Sequence, residues 1–63
     1  MIADRIRQAR LAAGLTLGAL GEQVGVSHTA IQKYEKGLLT PSSTQLLKLA
    51  RACGIRTEYF FRT

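Results

Sequence analysis

Residues 16–37, TLGALGEQVGVSHTAIQKYEKG, decide how this chain folds. Thr16 carries a short hydroxyl that can accept from the unpaired N–H groups of a helix start, and Leu20 and Val24 lie four apart. The pattern predicts a helix of about eight residues that opens at Thr16 and buries that pair. Gly25 closes it, because glycine takes the left-handed backbone after a last turn at little cost. Ser27 then caps a helix over 28–36, whose inward positions Ile31 and Tyr34 lie three apart, and Gly37 ends that helix.

Only Gly25, Val26 and Ser27 join the two. Two helices with a short glycine-containing turn between them form a helix-turn-helix, in which the second helix is free to project from the body. Upstream, Ile2, Ile6, Ala9 and Ala13 recur at helical spacing and predict a first helix over roughly 2–13, stopped at Gly14. Downstream, the single proline confines irregular backbone to 38–42. Ser42 with Gln45 then forms a capping-box pattern ahead of the apolar stripe Leu46, Leu49, Ala50 and Cys53, and Gly54 closes this fourth helix. Thr57 can cap a last short turn, 58–62. The expected fold is all-α: one domain, 1–63, a compact bundle of five short helices without a strand.

A chain of 63 residues buries a thin core, so a folding stability of about 3–5 kcal/mol is expected unless a disulfide, a metal or a second subunit adds to it. One cysteine and one histidine assemble neither a disulfide framework nor a closed zinc site, and no metal or cofactor is expected. Cys53 fits a small core hydrophobe in a reducing cytosol. No apolar run approaches the roughly 20 residues that cross a bilayer, and MIADRIRQAR is a charged amphipathic start, so a cytoplasmic protein is expected. Nine Lys and Arg against four Asp and Glu leave a net charge of +5, which favours polyanionic partners.

The positions of those charges narrow the choice. His28, Thr29, Gln32, Lys33 and Lys36 fall at i, i+1, i+4, i+5 and i+8, on the face opposite Ile31 and Tyr34. Gln can bridge adenine N6 and N7, Lys can donate to guanine O6 and N7, and Thr offers a hydroxyl or a methyl. No acidic residue shares that face to repel phosphates, although the same pattern also suits the solvated side of any amphipathic helix. The start of the preceding helix, Thr16–Leu17–Gly18, presents backbone N–H groups and a positive dipole end suited to phosphate. Gly18, Gly21 and Gly25 leave one side of that helix nearly bare, which predicts a close approach by the next helix at Gly21 and an uncovered helix start at Gly18.

TLGALGEQVGVSHTAIQKYEKG, followed by Pro41 and LLKLARACGI, resembles the Xre-type helix-turn-helix of the lambdoid phage repressor and Cro DNA-binding domains over nearly the whole chain. The resemblance implies that His28, Thr29, Gln32 and Lys33 read bases in double-stranded DNA. It places Leu17 (through its backbone), Lys36 and Thr40 against phosphates, where Thr16 and Ser27 at the two helix starts are also expected, and it implies a buried ion pair between Arg10 and Glu35. Two residues depart from the pattern. Leu17 stands where glutamine is common and can neither bond phosphate nor brace a neighbour. Gly21 replaces the usual alanine, which implies a looser second helix.

One such helix covers few base pairs, so a homodimer on two half-sites roughly 34–36 Å apart is expected. Tyr59, Phe60 and Phe61 are the candidate dimer surface; the other reading has Phe60 closing the core and its neighbours at a chain end or against a further domain, such as those into which longer Xre regulators continue. The functional expectation is a sequence-specific transcriptional regulator, most simply a repressor. An adaptor or antitoxin-like protein-binding domain of the same fold is the alternative. A lone His28 without a nearby carboxylate or nucleophile leaves no basis for an enzyme.

Overall fold

The computed structural model describes residues 2–61, and within them four α-helices are followed by a 3-10 helix. The helices are α1 (Ile2–Ala12), α2 (Leu17–Val24), α3 (His28–Lys36) and α4 (Ser43–Cys53), and the 3-10 helix is Thr57–Phe61. The count of five α-helices is therefore corrected to four. The last segment is held by a Tyr59 N–H to Arg56 carbonyl bond, three residues back, which is the tighter 3-10 pattern favoured in pieces this short. Thr57 begins that segment rather than capping it. Arg62, expected in the last turn, lies outside the described residues.

The other boundaries follow from local chemistry. The side-chain oxygens of Thr16, Ser27 and Ser42 accept from the backbone N–H groups of Ala19, Ala30 and Gln45 at 3.0, 3.1 and 3.2 Å, each satisfying a donor that a helix start leaves unpaired. Gly25, with φ 78°, turns the chain out of α2 in the left-handed conformation. α1 ends at Ala12, and Ala13 is exposed rather than inward. Only half of the capping box at α4 forms: the Gln45 side-chain oxygen is buried without a hydrogen-bond partner instead of accepting from Ser42.

Every element sends side chains into one core. Ile6 and Ala9 come from α1, Leu20 and Val24 from α2, Ile31 and Tyr34 from α3, Leu46, Leu49 and Ala50 from α4, and Phe60 from the 3-10 helix. Phe60, Ile6, Leu20, Ile31 and Leu49 are the largest side chains fully shielded from water. The four helices surround these residues, and the 3-10 helix closes the end beside α1 and α4. The described residues include no helix long and apolar enough to cross a membrane.

Candidate nucleic-acid interface

α3 is divided sharply along its length. Ile31 and Tyr34 are buried, Ala30 and Glu35 are half-buried, and His28, Thr29, Gln32, Lys33 and Lys36 are all exposed. The structure thus brings the four candidate base readers and Lys36 onto one outward surface, with Ser27 exposed at its start and Thr40 exposed in the loop beyond its end. Lys33 and Lys36 occupy the last turn, where positive charge suits the negative end of the helix dipole.

The acid in α3 does not dilute this positive face. Glu35 accepts from Arg10 Nε at 2.6 Å on one oxygen and from Arg10 Nη2 at 3.1 Å on the other, a two-pronged guanidinium–carboxylate pair. The two side chains are only 12% and 7% exposed. The bond to Glu35 raises the Arg10 pKa above its already high ordinary value, against the opposing effect of burial. Arg10 also donates from Nη1 to the Leu15 carbonyl at 3.0 Å, so one guanidinium fixes α3 and the α1–α2 connection together. This second bond ends on a backbone oxygen, which has no signature in the sequence.

Gly21 sets how α3 sits on α2. A Cβ at this position would lie 2.5 Å from the Val26 carbonyl oxygen, closer than real atoms approach, and 3.3 Å from the Ser27 carbonyl carbon, a tight contact. The close approach expected at Gly21 is present: the turn backbone lies directly on the glycine, and the Val26 N–H bonds to the Gly21 carbonyl at 2.9 Å. A Cβ at Gly18, by contrast, would meet nothing within 4 Å, so the α2 start is open on that side. Leu17 is half-buried against the core, with its backbone at that open end.

The residues of the candidate dimer surface separate. Phe60 is 1% exposed and is a core side chain, which removes it from any surface role. Tyr59 is half-buried; its hydroxyl donates to the Gln8 side-chain oxygen at 3.1 Å, and Arg5 lies 4.9 Å from its ring centroid in a cation–π contact. Phe61 alone of the three is freely exposed, at 58%. Cys53 is half-buried, and burial pushes its thiol above the ordinary range, which keeps it in the unreactive neutral form.

The sequence model described as "Helix-turn-helix" matches residues 6–60. The chain belongs to the Xre-type helix-turn-helix family. Among relatives of this helix-turn-helix chain, a transcriptional regulator in the ATPase CF(0) region of Rhodospirillum rubrum is 38% identical over 60 residues, which is 95% of this chain and 56% of that protein. The chain spans about half the length of the curated relatives it matches. The P22 c2 repressor, in a crystal structure with a synthetic operator, superimposes with a TM-score of 0.87 at 33% identity, covering 95% of this chain and 91% of that one. The restriction-modification controller protein C.AhdI from Aeromonas hydrophila gives 0.89 at 30% identity, with the same two coverages.

Proposed function

We propose that this helix-turn-helix domain is a sequence-specific DNA-binding transcriptional regulator, acting as a repressor, that reads the major groove with α3. One observation carries the reading: the exposed face of α3 holds only hydrogen-bonding and basic side chains, while its single carboxylate is withdrawn into a buried pair with Arg10. His28, Thr29, Gln32 and Lys33 face base edges, where Gln suits adenine and Lys suits guanine. The backbone at Thr16 and Leu17, together with Ser27, Lys36 and Thr40, faces phosphates and sets the register. The likeness to a repressor seen with operator DNA supports the same docking.

The domain is 27 Å in its longest dimension, shorter than the roughly 34–36 Å between half-sites one helical turn apart. Two copies are needed to read a full site, and Phe61 is the member of the aromatic run free to join them. The protein acts in the cytoplasm, on the nucleoid.

Selection from random DNA, followed by affinity measurements across a salt series, tests this reading. A symmetric site is expected, with log K falling linearly with log salt. Gln32→Ala should cost about 1–3 kcal/mol on the best site and relax preference at one base pair, whereas Lys36→Ala should weaken all sequences alike. Uniform loss from both substitutions would remove α3 as the reader. Binding to a protein partner that is indifferent to salt, with no selected DNA, would overturn the proposal in favour of an adaptor.

A further inference from the structure

The two ends of α2 are tied to α3 by different means. At the C-terminal end the tie is direct: the turn backbone lies on Gly21, and the Val26 N–H bonds to the Gly21 carbonyl at 2.9 Å. At the N-terminal end the hydrogen-bonded path runs through one side chain of α1. Arg10 donates from Nη1 to the Leu15 carbonyl at 3.0 Å, and from Nε and Nη2 to Glu35 of α3 at 2.6 and 3.1 Å. The Leu15 carbonyl belongs to the peptide unit that leads into Thr16, the cap of α2.

Little else fixes the angle of that end. Leu15 and Leu17 pack against the core, but apolar burial is non-directional and holds a segment down without setting its tilt. The Thr16 hydroxyl is already engaged by the Ala19 N–H, and Leu17 has no polar side chain, so the start of α2 meets a phosphate only through backbone N–H groups. Backbone donors cannot reach after a displaced oxygen as a long side chain can. At about 1.5 Å per residue, Leu17 stands roughly 6 Å along the axis from Gly21. A tilt of about 10° pivoting at Gly21 would move the helix start by about 1 Å, enough to lose a hydrogen bond.

We propose that Arg10 is a positioning residue for DNA binding: through the Leu15 carbonyl it sets the start of α2 relative to the outward face of α3, so that phosphate and base edges are met in one register. The inference rests on the DNA-reading role of α3. Arg10 acts at a distance, since its side chain is only 12% exposed and is fully engaged within the protein. Two duties thus divide within one guanidinium: Nε and Nη2 hold α1 to α3, and Nη1 aims α2.

The test uses Arg10→Met combined with Glu35→Leu, which removes both buried charges together, the change least costly to folding, and with them the bond to Leu15. Binding is measured to the selected duplex with each phosphate replaced in turn by an uncharged methylphosphonate. In wild type, one replacement per half-site, at the α2 start, should weaken binding by about threefold to tenfold, the scale of an anion at a helix N-terminus. In the folded double variant that replacement should cost nothing, while replacement at the Lys36 contact still weakens binding and the base preference of Gln32 is kept. An unchanged phosphate profile in the folded variant would overturn the proposal. So would loss of the Gln32 preference in step with the phosphate contact, which marks general loosening rather than positioning. If the double variant does not fold, Arg10→Lys takes its place under the same outcomes, because it keeps a charge beside Glu35 but lacks the third nitrogen that meets Leu15. Wild-type protein without salt-dependent binding to any selected DNA would instead remove the role of α3 itself.

Discussion

α1 is fastened to the rest of the molecule along two seams built in opposite ways. Against α3, Arg10 and Glu35 form a two-pronged charged pair shielded from water. Against the 3-10 helix, the hydrogen bond from Tyr59 to Gln8 is exposed, the Arg5–Tyr59 contact is half-buried, and Phe60 supplies the fully buried side chain. Removing one member of a buried pair strands its partner's charge, whereas water replaces either member of an exposed pair. The helix proposed to read DNA is thus held by the interaction least tolerant of change, and the chain end by ordinary apolar burial.

The strongest way to break this contrast is Arg10→Met, expected to destabilise by about 3–5 kcal/mol because Glu35 is left buried and unpaired. In a domain this small, urea unfolding should then show little native protein in buffer, and adding Glu35→Leu should restore much of the loss. Shaving the other seam with Phe60→Leu should cost about 1–2 kcal/mol by the same measurement, since it leaves part of an apolar site unfilled. A larger loss for Phe60→Leu than for Arg10→Met would reverse the ranking of the seams.

Gly21→Ala tests the seat of α3 on α2. Displacing the turn costs about 1–3 kcal/mol, offset by roughly 1 kcal/mol of better helix propensity, so a modest net loss is expected. Backbone amide shifts should appear at Val26, Ser27 and His28; their absence would mean that the turn is not pressed on Gly21. Tyr59→Phe should change stability by less than about 0.5 kcal/mol, and a larger effect would make the exposed seam more than decoration.

The smallest effect concerns Cys53. Its thiol is raised by burial, so the folded state favours the neutral form. That contribution is present in full below the ordinary thiol range and is lost as pH rises through the raised value. Iodoacetamide at mildly alkaline pH should label the native protein more slowly than the urea-unfolded chain. Equal rates would place Cys53 in open solvent.

Most of the fold was legible from short-range signals. Thr16, Ser27 and Ser42 cap where their hydroxyls predict, and the polar and apolar sides of α3 separate as the spacing of Ile31 and Tyr34 requires. The Arg10–Glu35 pair was legible only through family resemblance, because 25 residues separate its members and no local rule joins them. The aromatic run left two readings open for a related reason: three adjacent rings look alike in sequence, and only the tight turn of the 3-10 helix, which sends Phe60 into the core and leaves Phe61 outside, separates them.

By itself the sequence determined where the helices begin and end and which face of α3 is polar, because caps, left-handed glycines and helical periodicity act within a few residues. Tertiary structure alone decided that Gln45 fails to complete its capping box and that Leu38 stays exposed while Leu15, Val26 and Ile55 are packed. Each of these depends on what another segment places within contact distance, and a side chain's neighbours across space are set by the packing of the whole bundle.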